Sequence, residues 1–215
     1  MYLPKHFAQT DVAIMHELMR AYPLATLVTQ GPDGLDANHI PLHLDAAAGP
    51  NGTLRGHVAR ANPLASNATT IETNAGPRVN RKILAIFKGP DSYISPSGYA
   101  TKAEHGKVVP TWNYTAVHVD GELRLIDDAE WLLAQLHALT AEHEDGFPHP
   151  WAVDDAPADY IGKMLGAIVG IEISITRLVG KWKVSQNQPA VNQASLIAAL
   201  DGQPMAGLIR ERALK

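Results

Sequence analysis

The run Val169-Gly-Ile-Glu-Ile-Ser-Ile175 places Val169, Ile171, Ile173 and Ile175 at every second position. Only an extended strand puts alternate residues on one face, so this segment reads as a half-buried strand. The same signature recurs along the chain. Leu24-Ala-Thr-Leu-Val-Thr29 alternates, Gly31-Pro-Asp-Gly34 supplies a turn, and Leu35 to Leu44 returns, which makes a hairpin. In the returning strand Ile40, Leu42 and Leu44 share one face and leave His39, Pro41 and His43 on the other; the proline suggests an edge strand or a bulge. Thr53 to Ala59 is a third strand with Arg55, His57 and Ala59 on one face. Ile83 to Phe87 is a fourth, breaking at Gly89-Pro90 before a short extended run from Ser92 to Ser95 that Pro96 ends. Ala116 to Ile126 reads as a strand that turns at Asp120-Gly121 into the next.

Helical spacing appears between these runs. Thr10 or Asp11 can cap a helix with Ile14, Met15, Leu18, Met19 and Tyr22 on its apolar side until Pro23. Asn62 is a good cap and Pro63 a favoured first residue for a helix extending to about Thr70, after which Gly76 to Lys82 leads into the strand at Ile83. Asp127 or Asp128 caps a helix to about Glu142 with Trp131, Leu132, Leu136 and Leu139 inward, followed by a loop from Glu142 to Trp151. Asp155 and Pro157 open a short helix carrying Tyr160, Ile161, Met164 and Leu165; residues 193 to 200 form a last one, and the tail from Met205 to Lys215 is weakly helical or frayed. Thr176 to Val184 carries Lys181, Trp182 and Lys183 as an exposed-looking basic run. Six or seven strands with helices at the start, after the third strand and near the end give a closed or partly closed antiparallel barrel or an α+β sandwich. There is no internal repeat.

The stretch from Phe87 to Val119 holds five of the chain's thirteen aromatics, Phe87, Tyr93, Tyr99, Trp112 and Tyr114, together with Lys88, Lys102 and Lys107. Roughly 20 of its residues show no periodicity, a length that inside a compact domain is usually functional or disordered. The rings argue against disorder. Three readings remain: a surface loop pinned by its own rings, a wall for a planar polyanionic ligand, or an arm reaching a second subunit.

Composition narrows the chemistry. At 215 residues the chain is long enough for a substantial core, read as a single domain over 1 to 200 with a tail from 201 to 215. Having no cysteine, it has no disulfide, thiolate metal site or cysteine nucleophile. No apolar run reaches the roughly 18 residues of a membrane span and the N-terminus has no leader-like apolar core, so the expectation is a cytoplasmic protein with no membrane attachment. A net charge of -4 gives no general attraction to DNA, and no helix-turn-helix with a basic recognition helix appears. Gly-x-Gly-x-x-Gly, Walker, His-Glu-x-x-His and Gly-x-Ser-x-Gly patterns are absent. Of ten histidines, His39 and His43 lie about 13 Å apart along one strand, too far to share an ion, and no metal site is expected. The corner Arg60-Ala61-Asn62 offers a guanidinium beside a helix start, which suits an anion.

Several motifs in order, Met1-Tyr-Leu-Pro-Lys-His-Phe7, Leu54-Arg-Gly-His-Val-Ala-Arg-Ala-Asn-Pro63, Gly89-Pro-Asp-Ser-Tyr-Ile-Ser-Pro-Ser97, Val109-Pro-Thr-Trp-Asn-Tyr-Thr-Ala-Val-His118 and Gly180-Lys-Trp-Lys-Val-Ser-Gln-Asn187, resemble the PaiB family. The resemblance spans nearly the whole chain to about Leu200. It implies a mainly β fold, an antiparallel split β-barrel (FMN-binding split barrel) decorated by helices, in a homodimer with FMN at the subunit interface. The family's description as negative transcriptional regulators implies DNA as a partner, which charge and motif do not support, and leaves FMN-dependent oxidoreductase activity open. The alternative is a ligand-free dimeric regulator acting through DNA or protein partners. By the same resemblance Arg60, Ala61 and Asn62 would serve the FMN phosphate. His39, Ile40, Pro41, Leu42 and His57 would flank the ring, and Ser95, Lys102, Thr111 and Asn113 would join from the central stretch. The sequence departs from the family pattern at Gly98, where a tryptophan is usual, and at Gln188, where an arginine is. The first substitution opens the flavin cover, and the second removes a phosphate or interface contact.

Overall fold

The computed structural model describes residues 1–31, 33–66, 71–73, 76–78 and 81–213. In chain order the strands are β1 (Ala8–Gln9), β2 (Leu24–Gly31), β3 (Gly34–Pro41), β4 (His43–Asp45), β5 (Thr53–Ala59), β6 (Ile71–Thr73), β7 (Gly76–Arg78), β8 (Arg81–Ile94), β9 (Thr111–Ile126) and β10 (Ile168–Lys183). The helices are α1 (Val12–Ala21), α2 (Pro63–Ser66), α3 (Lys102–His105), α4 (Ala129–Glu144), α5 (Ala158–Gly166), α6 (Ala190–Ala199) and α7 (Pro204–Ala213). The helix expected from Pro63 is described only to Ser66; residues 67–70 lie outside the described set. Residues Ile71–Thr73 and Gly76–Arg78 pair as a small separate hairpin.

The main sheet is antiparallel in the pairs whose register is described, in the order β3-β2-β8-β9-β10-β5-β4, with β1 added beside β10. Its two outer members, β3 and β4, are consecutive in the chain, separated by Leu42 alone. β3 pairs with β2 from Gly34 to Pro41, and β4 pairs with β5 from His43 to Asp45, so the hydrogen-bonded ladder changes partner at Leu42. Pro41 ends β3, an outer strand as the proline suggested, but the single strand expected from Leu35 to Leu44 is two, and the fold is an antiparallel split β-barrel decorated by helices.

The chain divides into two compact units. One comprises Met1–Ala21, Lys88–His118 and Val179–Lys215, the other Tyr22–Phe87 and Val119–Leu178. In the second unit Ile83, Val119, Leu123, Ile171 and Ile173 form the core face, each nearly or fully excluded from solvent. Burying a side chain of this size is worth about 1.5 to 3 kcal/mol. Asp128 caps α4 by accepting from the Trp131 N–H at 2.8 Å, as its position suggested. In the first unit α6 and α7 form a cluster with Ile94, Tyr99, Val184, Leu196, Leu200, Met205 and Ile209. The tail is therefore a packed helix with one buried face, since Met205, Ala206 and Ile209 all turn inward while Arg210 and Glu211 stay exposed.

Two glycine breaks in the sequence reading are not breaks. β8 continues through Gly89, where a Cβ would come within 2.3 Å of Thr115 Oγ1 and 2.9 Å of Leu18 Cδ1. β9 continues through Gly121, where a Cβ would meet Ile173 at 2.5 Å. Both glycines mark close approach of packed neighbours, one of the two meanings a strand glycine can have. The aperiodic connection is likewise shorter than expected: β9 begins at Thr111, and a 3-10 turn at Pro96–Gly98 and α3 occupy part of the rest. Lys181 and Trp182, expected on an exposed run, are buried at 7% and 5% exposure.

Candidate functional site

The end of β10 and the start of β9 converge in the first unit on a cavity of about 140 Å³ lined by Tyr99, Thr111, Asn113, Lys183, Ser185 and Gln188 among others. Each polar group has a distinct circumstance. Lys183 Nζ donates to Thr111 Oγ1 and, at 2.6 Å, to the Trp112 carbonyl. Burial lowers its pKa below the usual lysine value, with the Tyr114 hydroxyl opposing and the neighbouring Lys181 charge adding to the shift. Lys181 is itself buried, donating to the Tyr2 carbonyl at 3.0 Å, with its ammonium 5.2 Å from the centre of the Tyr114 ring. Among the described residues neither ammonium is paired with a carboxylate. Two partly dehydrated cations without a counter-ion leave this corner electropositive, a setting that favours an anion.

The acceptor side is equally specific. Asn113, 1% exposed, donates from Nδ2 to Ser185 Oγ at 2.8 Å, and its Oδ1 is buried with no hydrogen-bond partner. Ser185 has φ 63°, the only non-glycine residue in the left-handed region among the described residues. A residue other than glycine held there costs about 1 to 2 kcal/mol, and such outliers cluster at ligand sites. Burial lifts the Tyr99 phenol above its ordinary range, with a Ser185 hydrogen bond pulling the other way. Gln188 accepts from Asn192 at 3.2 Å.

Of the residues expected at the site, Thr111 and Asn113 line this cavity. Ser95 instead caps the 3-10 turn by accepting from the Ser97 N–H at 3.2 Å, and the exposed Lys102 donates to Ser97 Oγ at 3.0 Å. His39, Ile40, Pro41, Leu42, His57, Arg60, Ala61 and Asn62 belong to the other unit. There Ile40 and Leu42 are core side chains, His39 shares a hydrogen bond with Thr26 at 3.1 Å, and His57 shares one with Gln135 at 3.0 Å. Asn62 caps α2 by accepting from the Leu64 N–H at 2.8 Å and donates to Asn38 at 2.8 Å. Pro41 and Ala61 are exposed. Arg60 forms a bidentate pair with Asp127 at 2.7 and 2.9 Å and donates to the carbonyls of Gly166 and Ile168, both at 3.0 Å. The Asp127 hydrogen bonds raise the Arg60 pKa, and the Arg60 hydrogen bonds lower that of Asp127. Four donor directions and the charge are thus already engaged.

Sequence reading missed Lys183, Ser185 and Tyr99. The signal was present in the period-two spacing of Lys181 and Lys183, which puts both on one side of a strand. Gly98, where the family resemblance implied a tryptophan, faces α6: a Cβ there would lie 3.0 Å from Leu196 Cδ2 and 3.6 Å from Ala199 Cβ. The small residue is matched to the helix beside it.

The family model described as "Putative FMN-binding domain" matches residues 1–177. An uncharacterized protein of Emericella nidulans is 34% identical across 99% of this chain and 97% of its own. The Bacillus subtilis protein named protease synthase and sporulation protein PAI 2 is 27% identical across 94% of this chain and 90% of its own. Among solved structures, a FAD and heme binding protein of Mycobacterium smegmatis superposes with TM-score 0.57 at 15% identity, over 82% of this chain and 73% of that one. A conserved hypothetical protein of Mycobacterium tuberculosis gives TM-score 0.56 at 13% identity over 88% and 94%. At these identities the structural likeness concerns the fold.

Proposed function

This chain belongs to the FMN-binding-domain family, and from that premise we propose that it binds FMN with the cofactor's phosphate in the Lys183 cavity. One observation carries the placement: the partly buried Lys183 has no carboxylate partner among the described residues, whereas Arg60 is already neutralised by Asp127. The cavity's roughly 140 Å³ is well below the ~300 to 1,000 Å³ of sites that enclose a whole ligand, so it seats one end of the cofactor. Lys183 would pair with the phosphate, and the Thr111 and Ser185 hydroxyls would donate to its oxygens. The Asn113 amide would hold Ser185 in place. Trp112, whose carbonyl accepts from Lys183, is 55% exposed and forms an edge-to-face pair with Tyr93, with ring centres 5.8 Å apart. This pair is suited to stack on a flat ring.

A second reading, the one the family resemblance suggests, keeps the flavin wholly in the other unit, beside His39, Pro41, His57, Ala61 and Asn62 and the backbone of Ile40 and Leu42. We assign the functional form as a homodimer, a reading supported by the exposed Tyr93, Val109 and Trp112 side chains. Bound FMN supplies one- and two-electron chemistry; these residues bind it, orient it and shield its phosphate from water.

The test is an FMN titration of the purified full chain, followed by flavin fluorescence, with Lys183→Met and Asn62→Ala alongside the wild type. Tight binding that Lys183→Met weakens supports the placement. Binding that Lys183→Met leaves unchanged removes the phosphate from this cavity, and a wild type that takes up no FMN overturns the reading itself.

A further inference from the structure

In the second unit α5 differs from its neighbour α4. Whereas α4 buries Leu132, Gln135 and Leu139, α5 buries no side chain at all. Yet its sequence is amphipathic: Tyr160, Ile161, Met164 and Leu165 recur with helical spacing and share one side. Ile161 and Leu165 are half-buried, while Tyr160 and Met164 stay 52% and 43% exposed. Asp159 and Lys163 immediately precede these two, with side chains 80% and 75% exposed. Residues four apart are neighbours on a helix surface, so acid, ring, base and thioether make one continuous strip.

The order along the strip identifies what covers it. The acid and the ring lie toward the start of α5, and the base and the thioether lie one turn further on. A second α5 laid antiparallel about a two-fold axis sets Asp159 against the partner's Lys163 and Tyr160 against the partner's Met164, and each contact occurs twice. The charged pair is centred on residue 161 and the apolar pair on residue 162, about 1.5 Å apart along the helix, so one placement serves both. A partner surface of a single sign would match only half of the strip.

The charges gain from this arrangement. Within one chain Lys163 Nζ lies 3.8 Å from Asp159 Oδ2, a loose exposed pair of the kind that contributes little in water. In two paired helices the four charges alternate in sign, and each keeps its own partner while gaining another. A methionine sulfur beside a tyrosine ring is a favourable contact in its own right.

We propose that α5 is a self-association surface that pairs antiparallel with the α5 of a second copy of this chain. It depends neither on the flavin reading nor on Tyr93, Val109 and Trp112, which belong to the first unit. Nine residues make a helix about 14 Å long, so the interface is small and the pairing weak.

The test is sedimentation equilibrium of the full chain from about 10 μM to about 1 mM, the range in which a small interface associates. The average mass of the wild type is expected to rise across that range. Asp159→Lys and Lys163→Asp each set like charges opposite one another, and each should weaken the association about 5-fold. The double variant restores the alternation and should associate within about 2-fold of the wild type. Met164→Glu, which puts a charge on the apolar contact, should remove the rise. A wild-type mass that stays constant across the range overturns the proposal. So do single charge variants that associate as the wild type does, or a double variant that associates no better than either single one.

Discussion

Arg60 follows the last residue of β5, and Lys183 is the last residue of β10. In sequence the two cations look alike, each beside an Asn or Ser and a chain turn, and Arg60 looks the better anion site because Asn62 and Pro63 start a helix next to it. In the structure the ranking reverses. Arg60 is 44% exposed in its side chain and bound to Asp127 and two carbonyls, so it ties the end of β5 to the residue before the α4 cap and to the junction of α5 and β10. Lys183 is partly buried, near a second lysine, and among the described residues its ammonium donates to a hydroxyl and a carbonyl. A cation's use follows from its partners. A neutralised one is structural, and one kept dehydrated without a counter-ion stores unfavourable energy that a bound anion can release.

This contrast can be broken most sharply at Lys183. Lys183→Met should weaken FMN binding by about 10- to 100-fold, the range for one charge-assisted hydrogen bond, as read by flavin fluorescence. The pH dependence goes with it. Because burial lowers the Lys183 pKa, the ammonium is lost on a rise in pH before an ordinary lysine would be. Above pH ~7 the phosphate is already doubly charged, so wild-type affinity should fall with rising alkalinity toward that of the variant, whose own affinity stays flat. The same shift has a consequence for the free protein. A lysine whose folded pKa is depressed contributes stability above its unfolded pKa and loses it as pH falls through the folded value. Lys183→Met should therefore raise the melting temperature of the cofactor-free chain near neutrality.

Ser185→Gly is the next test in size. It relieves a backbone strain of about 1 kcal/mol and gives up a hydrogen bond of similar worth, so chemical denaturation should show nearly unchanged stability. FMN affinity should nevertheless fall about 5-fold, since the hydroxyl is gone. The smallest effect on binding is expected at Arg60. Arg60→Gln should change FMN affinity by less than about 2-fold, within the reach of a remote surface charge in salt. Its signature lies in acid. Asp127 has its pKa lowered by Arg60, so the pair's contribution is present above the unfolded carboxylate pKa and is lost as pH falls through the lowered folded value. Melting curves of Arg60→Gln and wild type should therefore differ at neutral pH and converge in strong acid.

What was legible in the sequence was whatever depends on near neighbours. Alternation identified β2, β5 and the apolar half of β10, Asp128 identified the start of α4, and Pro41 identified β3 as an edge strand, though not the change of partner that follows it at Leu42. Glycine misled because Gly89 and Gly121 are required by residues far along the chain, Thr115 and Ile173, and no local pattern distinguishes that need from a turn. The site divided along the same line. Thr111 and Asn113 stood out as hydroxyl and amide in a ring-rich stretch. The pairing of Lys183 with Thr111 spans 72 residues, and that of Arg60 with Asp127 spans 67. Which cation is satisfied was therefore decided by contacts that spacing alone does not reveal.

Leu42 has a consequence of its own. One residue joins two strands that knit to different neighbours, so each of the two pairings limits how far the other can slip. Adding a single residue between Pro41 and His43 would let β4 slide along β5 without disturbing the hairpin with β2, and Leu44 would trade places with a polar neighbour. The seam is thus held in step by the shortness of its stitch.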